Sequence, residues 1–151
     1  MTIQEPITGE ERRGTLTEPA EALSQFYRAF NTRDLALMEQ NWDDSEEAVM
    51  ANPLGGIKRG WPEIREVYRR IFEGRATVSV EFHDYTLTVA DDVFWTVGRE
   101  RGVSETDGRS LQLAIRTSRV FRRVNGRWRQ VHHHGSIEDP ALLETYQKSA
   151  R

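Results

Sequence analysis

Between Ser118 and Ser136 the chain reads SRVFRRVNGRWRQVHHHGS, two extended runs joined by Asn125-Gly126. Both turn residues tolerate positive φ, which the favoured two-residue hairpin turns require, so this dipeptide predicts a β-hairpin. A two-residue loop also predicts the register, because opposed residues must have numbers with one constant sum. Arg123 then faces Trp128, Phe121 faces Gln130, Arg119 faces His132 and Thr117 faces His134. Side chains alternate along a strand, so this set shares one face, continued upstream by Ile115, Leu113 and Leu111. The opposite face carries Ser118, Arg116, Ala114 and Gln112, and the Arg122–Arg129 pair. The first face is the more apolar and is expected to meet the core, which turns Arg119, His132 and His134 inward. Inward charge on an apolar face is costly without a partner or a ligand. The hairpin therefore predicts the wall of a pocket.

Upstream, the pattern begins helical. Thr17-Glu18-Pro19 opens a helix, Thr17 being able to cap it, with the stripe Ala22, Leu23, Phe26, Ala29 and Phe30. A second short helix is expected from Leu35 to Trp42, and a short strand from Ala48 to Asn52 before Pro53. Leu54 to Gly60 reads as a glycine-rich turn, and Trp61 to Phe72 as a third helix with Ile64, Val67, Tyr68 and Ile71 inward. The period then changes to 2. Val78, Val80 and Phe82 alternate on one parity, and Tyr85, Leu87 and Val89 on the other, which predicts a bulge near His83-Asp84 and a bent sheet. Val93, Trp95, Val97 and Arg99 follow as a strand, then a longer loop from Gly102 to Gly108, then the hairpin. Ala141 to Tyr146 reads as a terminal helical turn. Three helices followed by a strongly bent antiparallel meander make an α+β architecture, a cone with an internal pocket.

Composition removes several classes of function. A chain of 151 residues suits one domain, with 1–17 read as a mobile tail, 18–139 as the cone and 140–151 as a C-terminal extension. There is no long apolar run and the first 17 residues lack the apolar centre of a secretory signal, so no membrane association is expected. The absence of cysteine removes disulfides and thiolate chemistry and suits a cytoplasmic protein. A net charge of −3 gives no overall pull toward nucleic acid, although nine arginines fall between Arg99 and Arg129. No cofactor is expected. A metal is not expected either: adjacent strand residues point oppositely, so only His132 and His134 could share an ion, and nothing places a third ligand beside them.

Three segments together carry a resemblance: FYRAFNTRDLALMEQNW, MANPLGGIKRGWPEIREVYRRIF and the closing hairpin. In order and spacing the chain resembles the nuclear transport factor 2-like superfamily over about residues 19–138. That superfamily includes SnoaL-like cyclases, ketosteroid isomerases and the calcium/calmodulin-dependent kinase II association domain. The resemblance implies a cystatin-like cone around a mainly apolar pocket, and a homodimer through the sheet. It does not carry over the isomerase mechanism. Asn52 stands where those enzymes place a base aspartate, and Phe26 and Ser118 lie near the positions of their oxyanion-binding tyrosine and aspartate. The C-terminal half is similar to the kinase association domain, whose arginine and histidine pattern Arg99, Arg119, His132 and His134 match. In that family the arginines line a pocket for small carboxylates.

The expected ligand is thus a small molecule with an apolar body and a carbonyl or carboxylate. If the protein is an enzyme, it is a cofactor-independent isomerase, cyclase or hydratase. His132 or His134 would be the base, Asn52 an orienting donor, and Arg119 and Arg99 the anion grip. Tyr27, Phe30, Trp42, Met50, Tyr68, Trp95 and Phe121 are candidates for the pocket wall. Two alternatives stay open: a non-catalytic binding module, and an assembly domain using the outer sheet face, where His133 is expected. For Arg119 and His132 the plainer reading is a structural pair tied to a carboxylate such as Glu100 or Asp43.

Overall fold

The computed structural model describes residues 4–12 and 18–150. Helix α1 (Pro19–Asn31) starts with proline in its first turn, where a missing N–H costs nothing, and buries Ala22, Leu23, Phe26 and Ala29. Thr17, expected as its cap, lies outside the described residues. Helix α2 (Leu35–Asn41) is capped by Asp34, whose carboxylate accepts from the Leu37 N–H at 2.9 Å. The short strands β1 (Val49–Ala51) and β2 (Lys58–Arg59) lead into α3 (Trp61–Glu73), which buries Trp61, Ile64 and Tyr68. Four long strands follow: β3 (Thr77–Ala90), β4 (Val93–Thr106), β5 (Arg109–Val124) and β6 (Arg127–Ser136). Helix α4 (Pro140–Ser149) ends the described chain and is longer than the expected single turn.

The strands form one sheet in the order β2-β1-β6-β5-β4-β3. All neighbours are antiparallel except β1 and β6, which run parallel, so the sheet is not a pure meander. The helices pack against its concave face, giving the expected α+β cone. The parity switch in β3 is a bulge between His83 and Thr86, with Asp84 at φ 50°. Opposite it, a Cβ on Gly98 would run into the Tyr85 side chain and the His83 carbonyl oxygen, so the bend needs a glycine there. The expected loop at Gly102–Gly108 is instead ladder: β4 and β5 pair as far as Thr106 and Arg109, closed by Asp107-Gly108 at φ 50° and 78°. Asp-Gly supplies the same two-residue turn chemistry as Asn-Gly.

Residues 4–12, expected as part of a mobile tail, lie against the domain. Ile7 is buried and exchanges two backbone hydrogen bonds with Phe82, covering part of the β3 edge. Glu11 accepts from the Thr8 N–H and the Ser24 hydroxyl, each at 2.8 Å, fastening this arm to α1. Among the described residues no helix is long and apolar enough to cross a membrane.

The final hairpin obeys the predicted register only near its turn. Arg123 faces Trp128 and Phe121 faces Gln130. One extra residue on β6 then shifts the ladder, so Val120 faces His132, Arg119 faces His133 and Ser118 faces His134. A bulge of this kind reverses which side chains point inward. His133 is buried, whereas His132 is half-buried and His134 exposed on the outer face.

Candidate functional site

Arg119 stands at the centre of the concave face and is 1% exposed. Its Nη2 donates to Glu100 Oε2 at 2.8 Å, its Nη1 to Gln130 Oε1 at 2.7 Å, and its Nε to the Tyr27 hydroxyl at 3.4 Å. The Tyr27 hydroxyl itself donates to Glu100 at 2.7 Å. The guanidinium lies over Phe26, 3.6 Å from the ring centroid. Glu100 comes from β4 and Gln130 from β6, so three strands and α1 converge on one cation. The structural reading of Arg119 thus holds, with Glu100 as its carboxylate. Asp43, the other candidate, pairs with Arg122.

A cavity of about 50 Å³ opens beside this cluster. On this scale a water needs roughly 10–15 Å³, so the chamber holds a few waters or one small organic molecule. Apolar wall comes from Phe26, Phe30, Met50 and Ile115, and the polar side from Glu100, Arg119, His133, Asn52 and Tyr68. Tyr146 of α4 completes the enclosure. The expected wall residues therefore divide. Asn52, Phe30, Met50, Tyr68 and Arg119 reach the chamber. Tyr27, Trp42 and Phe121 are buried in the core beside it, Phe121 stacked on Phe94 at 4.6 Å. Trp95 and Arg99 do not face it at all: the inward parity of β4 is Phe94, Thr96, Gly98 and Glu100. Trp95 is exposed on the outer face, and Arg99 pairs with Asp84 in solvent.

The histidines also exchange places. His132 and His134, expected inward, point away from the chamber, and His133 lines it. The His133 Nδ1 lies 3.4 Å from the Ser118 carbonyl oxygen. A carbonyl can only accept, so that nitrogen carries the proton and Nε2 keeps its lone pair. Among the described residues Nε2 has no hydrogen-bond partner. Burial, with the Arg119 charge beside it, holds His133 well below the ordinary imidazole range, so the ring is neutral at neutral pH. The Tyr68 hydroxyl is buried without a partner at hydrogen-bonding geometry, and burial pushes its phenol up. Asn52 is held by its own turn: its Oδ1 accepts from the Leu54 N–H at 2.9 Å and its Nδ2 lies 3.3 Å from Met50 Sδ. The site thus offers one free base, one free donor and a charge pair that is already balanced.

The SnoaL-like domain family matches residues 20–140. A protein of Thiobacillus denitrificans, provisionally described as a calcium/calmodulin-dependent protein kinase type II association domain, superposes with a TM-score of 0.70 at 25% identity, covering 84% of this chain and all of that one. A Streptomyces avermitilis protein of the NTF2-like family, provisionally described as a dehydratase, gives a TM-score of 0.70 at 20% identity, over 76% of this chain and 90% of that one. The F-box protein SKIP8 of Arabidopsis thaliana is 23% identical over 133 residues, 87% of this chain. The chain spans only 55% of the length of that relative.

Two outcomes follow from the site's electrostatics. Removing one partner of a buried ion pair leaves an uncompensated charge, at a cost of about 3–5 kcal/mol. Arg119→Met and Glu100→Gln should each lower unfolding free energy by about that much in urea titration, and the double variant should lose much less than the sum. A loss below about 1 kcal/mol would contradict the pair's role. Separately, His133 binds its proton more weakly folded than unfolded. Its contribution to stability is full above the unfolded value near pH 6.5 and is lost as pH falls toward the lower folded value. Stability should therefore decline by up to about 1.4 kcal/mol per pH unit between roughly pH 6.5 and 5. In His133→Gln most of that slope should vanish, with a smaller residue from His132, which burial also lowers.

Proposed function

Because the chain belongs to the SnoaL-like domain family, we propose that it holds in the cone an uncharged carbonyl- or hydroxyl-bearing end of a small molecule, and moves a proton on it. The carrying observation is His133 Nε2, a lone pair without a partner, in a chamber that also contains the unpaired Tyr68 hydroxyl. His133 is the base and Tyr68 donates to the substrate oxygen as negative charge develops there. Arg119 and Glu100 are positioning residues. Their charges cancel and Arg119 already serves Gln130, Glu100 and Tyr27, so the chamber favours an uncharged group over the carboxylate expected from an arginine grip. Isomerisation through an enol, and elimination of water β to a carbonyl, both begin with this proton abstraction and need no external electron acceptor.

Deuterium incorporation at the α-carbon tests the proposal without knowledge of the natural substrate. In D2O with butanone or cyclopentanone as probe, proton NMR should show exchange above the buffer rate. His133→Gln should reduce it by about 10²-fold or more, while His132→Gln and His134→Gln keep it. Exchange that survives in His133→Gln, or none with either ketone, would remove the chemistry.

A second reading rests on the outer sheet face. Val93, Trp95 and Val97 form an exposed apolar strip there, and an apolar patch on a sheet face suits association with a second copy. Light scattering after size exclusion should give a dimer that Trp95→Glu converts to monomer without changing the exchange rate. A wild-type monomer at micromolar concentration would dismiss this assembly.

A further inference from the structure

A ligand-sized space lies outside the chamber. A cleft of about 800 Å³ lies between the end of α3, α4 and the 52–58 loop, within the roughly 300–1,000 Å³ of small-molecule sites. The chamber behind it has about 50 Å³. The two spaces share five wall residues: Asn52, Leu54, Ile71, Val78 and Tyr146. Tyr146 is therefore a partition, and burial raises its phenol to about 12, so it is an uncharged plug. The helix that carries it is lightly fastened. Leu142 and Leu143 pack against the core only in part. Among the described residues, Gln147 Nε2 donating to the Pro53 carbonyl at 3.2 Å is the one side-chain hydrogen bond tying α4 to the rest of the fold.

The cleft has a distinct chemistry. Leu54, Val67, Ile71 and Val78 give it an apolar floor. Lys58, Arg69, Arg70 and Arg75 stand in its wall, against Glu73 as the acidic member. Arg69 and Arg70 are engaged by Glu66, Arg69 also by Glu73, and Arg75 by Asp107 at 3.5 Å. Lys58 has no carboxylate within ion-pair distance among the described residues. An apolar trough ending at an uncompensated ammonium matches one kind of ligand.

We propose that this cleft binds a carboxylate-terminated apolar molecule, its acid at Lys58 and its body lying along the floor toward Tyr146. This deepens the proposed function and rests on it in one respect, that the far, neutral oxygen-bearing end is what enters the chamber once Tyr146 swings aside. The substrate class is then an oxo or hydroxy acid of medium length, with its neutral oxygen processed inside and its carboxylate held outside. The two binding features assign separate tasks to the two spaces: charge recognition at the rim, proton chemistry at the base.

Octanoate and 1-octanol are the probes, measured by isothermal calorimetry on the full chain. Octanoate should bind more tightly than 1-octanol. Lys58→Glu should weaken octanoate at least tenfold and leave 1-octanol within twofold. Tyr146→Ala should tighten octanoate at least threefold. Because that variant could destabilise the fold, Gln147→Ala, which removes the tether and one polar side chain of the cleft wall, should shift affinity the same way. Equal binding of acid and alcohol, indifference to Lys58→Glu, unchanged affinity in both α4 variants, or no octanoate binding at millimolar concentration would each overturn the proposal. Butanone exchange in Lys58→Glu separates the two readings. If it persists while octanoate fails, the cleft assignment falls and the chamber chemistry stands. Octanoate binding with the stated variant pattern, but without His133-dependent exchange, upholds the cleft and removes the chemistry.

Discussion

The buried Arg119–Glu100 pair fixes more of this fold than any apolar contact does. A guanidinium in the core must be fully engaged, and each of its partners comes from a different element. Glu100 sets the parity of β4, Gln130 that of β6, and Tyr27 with Phe26 sets the rotation of α1. From Gln130 the network continues: its Nε2 donates to Asn41 at 3.0 Å, and Asn41 donates to the Ala22 carbonyl and to Gln25. A polar spine thus runs from the sheet through α2 to α1. Slipping β4 against β5 by one residue would leave a buried charge alone, so the pair acts against a wrong register there as much as for the right one.

That constraint explains which parts of the fold were legible in the sequence. Positive-φ turns are local, so Asn125-Gly126 predicted its hairpin, and the parity change at His83-Asp84 predicted a bulge that is present. The bulge between Gln130 and His132 leaves no such trace. Every residue from Val131 to His134 is compatible with either face, and the choice is made at a distance, where His133 finds room beside Pro53 and Gly135. Register counted from the turn therefore points to His132 and His134, whereas the bulge turns His133 inward.

In β4 two sequence signals conflict, and the sequence itself holds the answer. Val93, Trp95 and Val97 look like a core face because they are β-branched or aromatic. Naming Glu100 as a partner for Arg119 implies that even-numbered residues of this strand face inward, which places Trp95 and Arg99 outside. Propensity and charge pairing disagreed, and pairing prevailed because a stranded buried charge costs more than an exposed tryptophan. Tyr146 carried no signal of its own, since a tyrosine near the end of a chain acquires a role only through what its helix covers.

The same electrostatics decide what chemistry the cone can favour. Had Arg119 lacked Glu100, the chamber would be a cationic trap for small anions, and a neighbouring imidazole would have been depressed beyond use as a base. With the charge balanced, His133 stays neutral chiefly because burial penalises its protonated form, and secondly because the Arg119 guanidinium is beside it. A base of that kind works where the proton is returned quickly, to the substrate itself, and where the developing oxyanion finds a donor within the same chamber. Tyr68 is placed to be that donor because its proton has no acceptor: the nearby Trp42 N–H can only donate, and can be directed only at the phenol oxygen. Two buried donors and one lone pair around a small void are best reconciled by an oxygen-bearing guest.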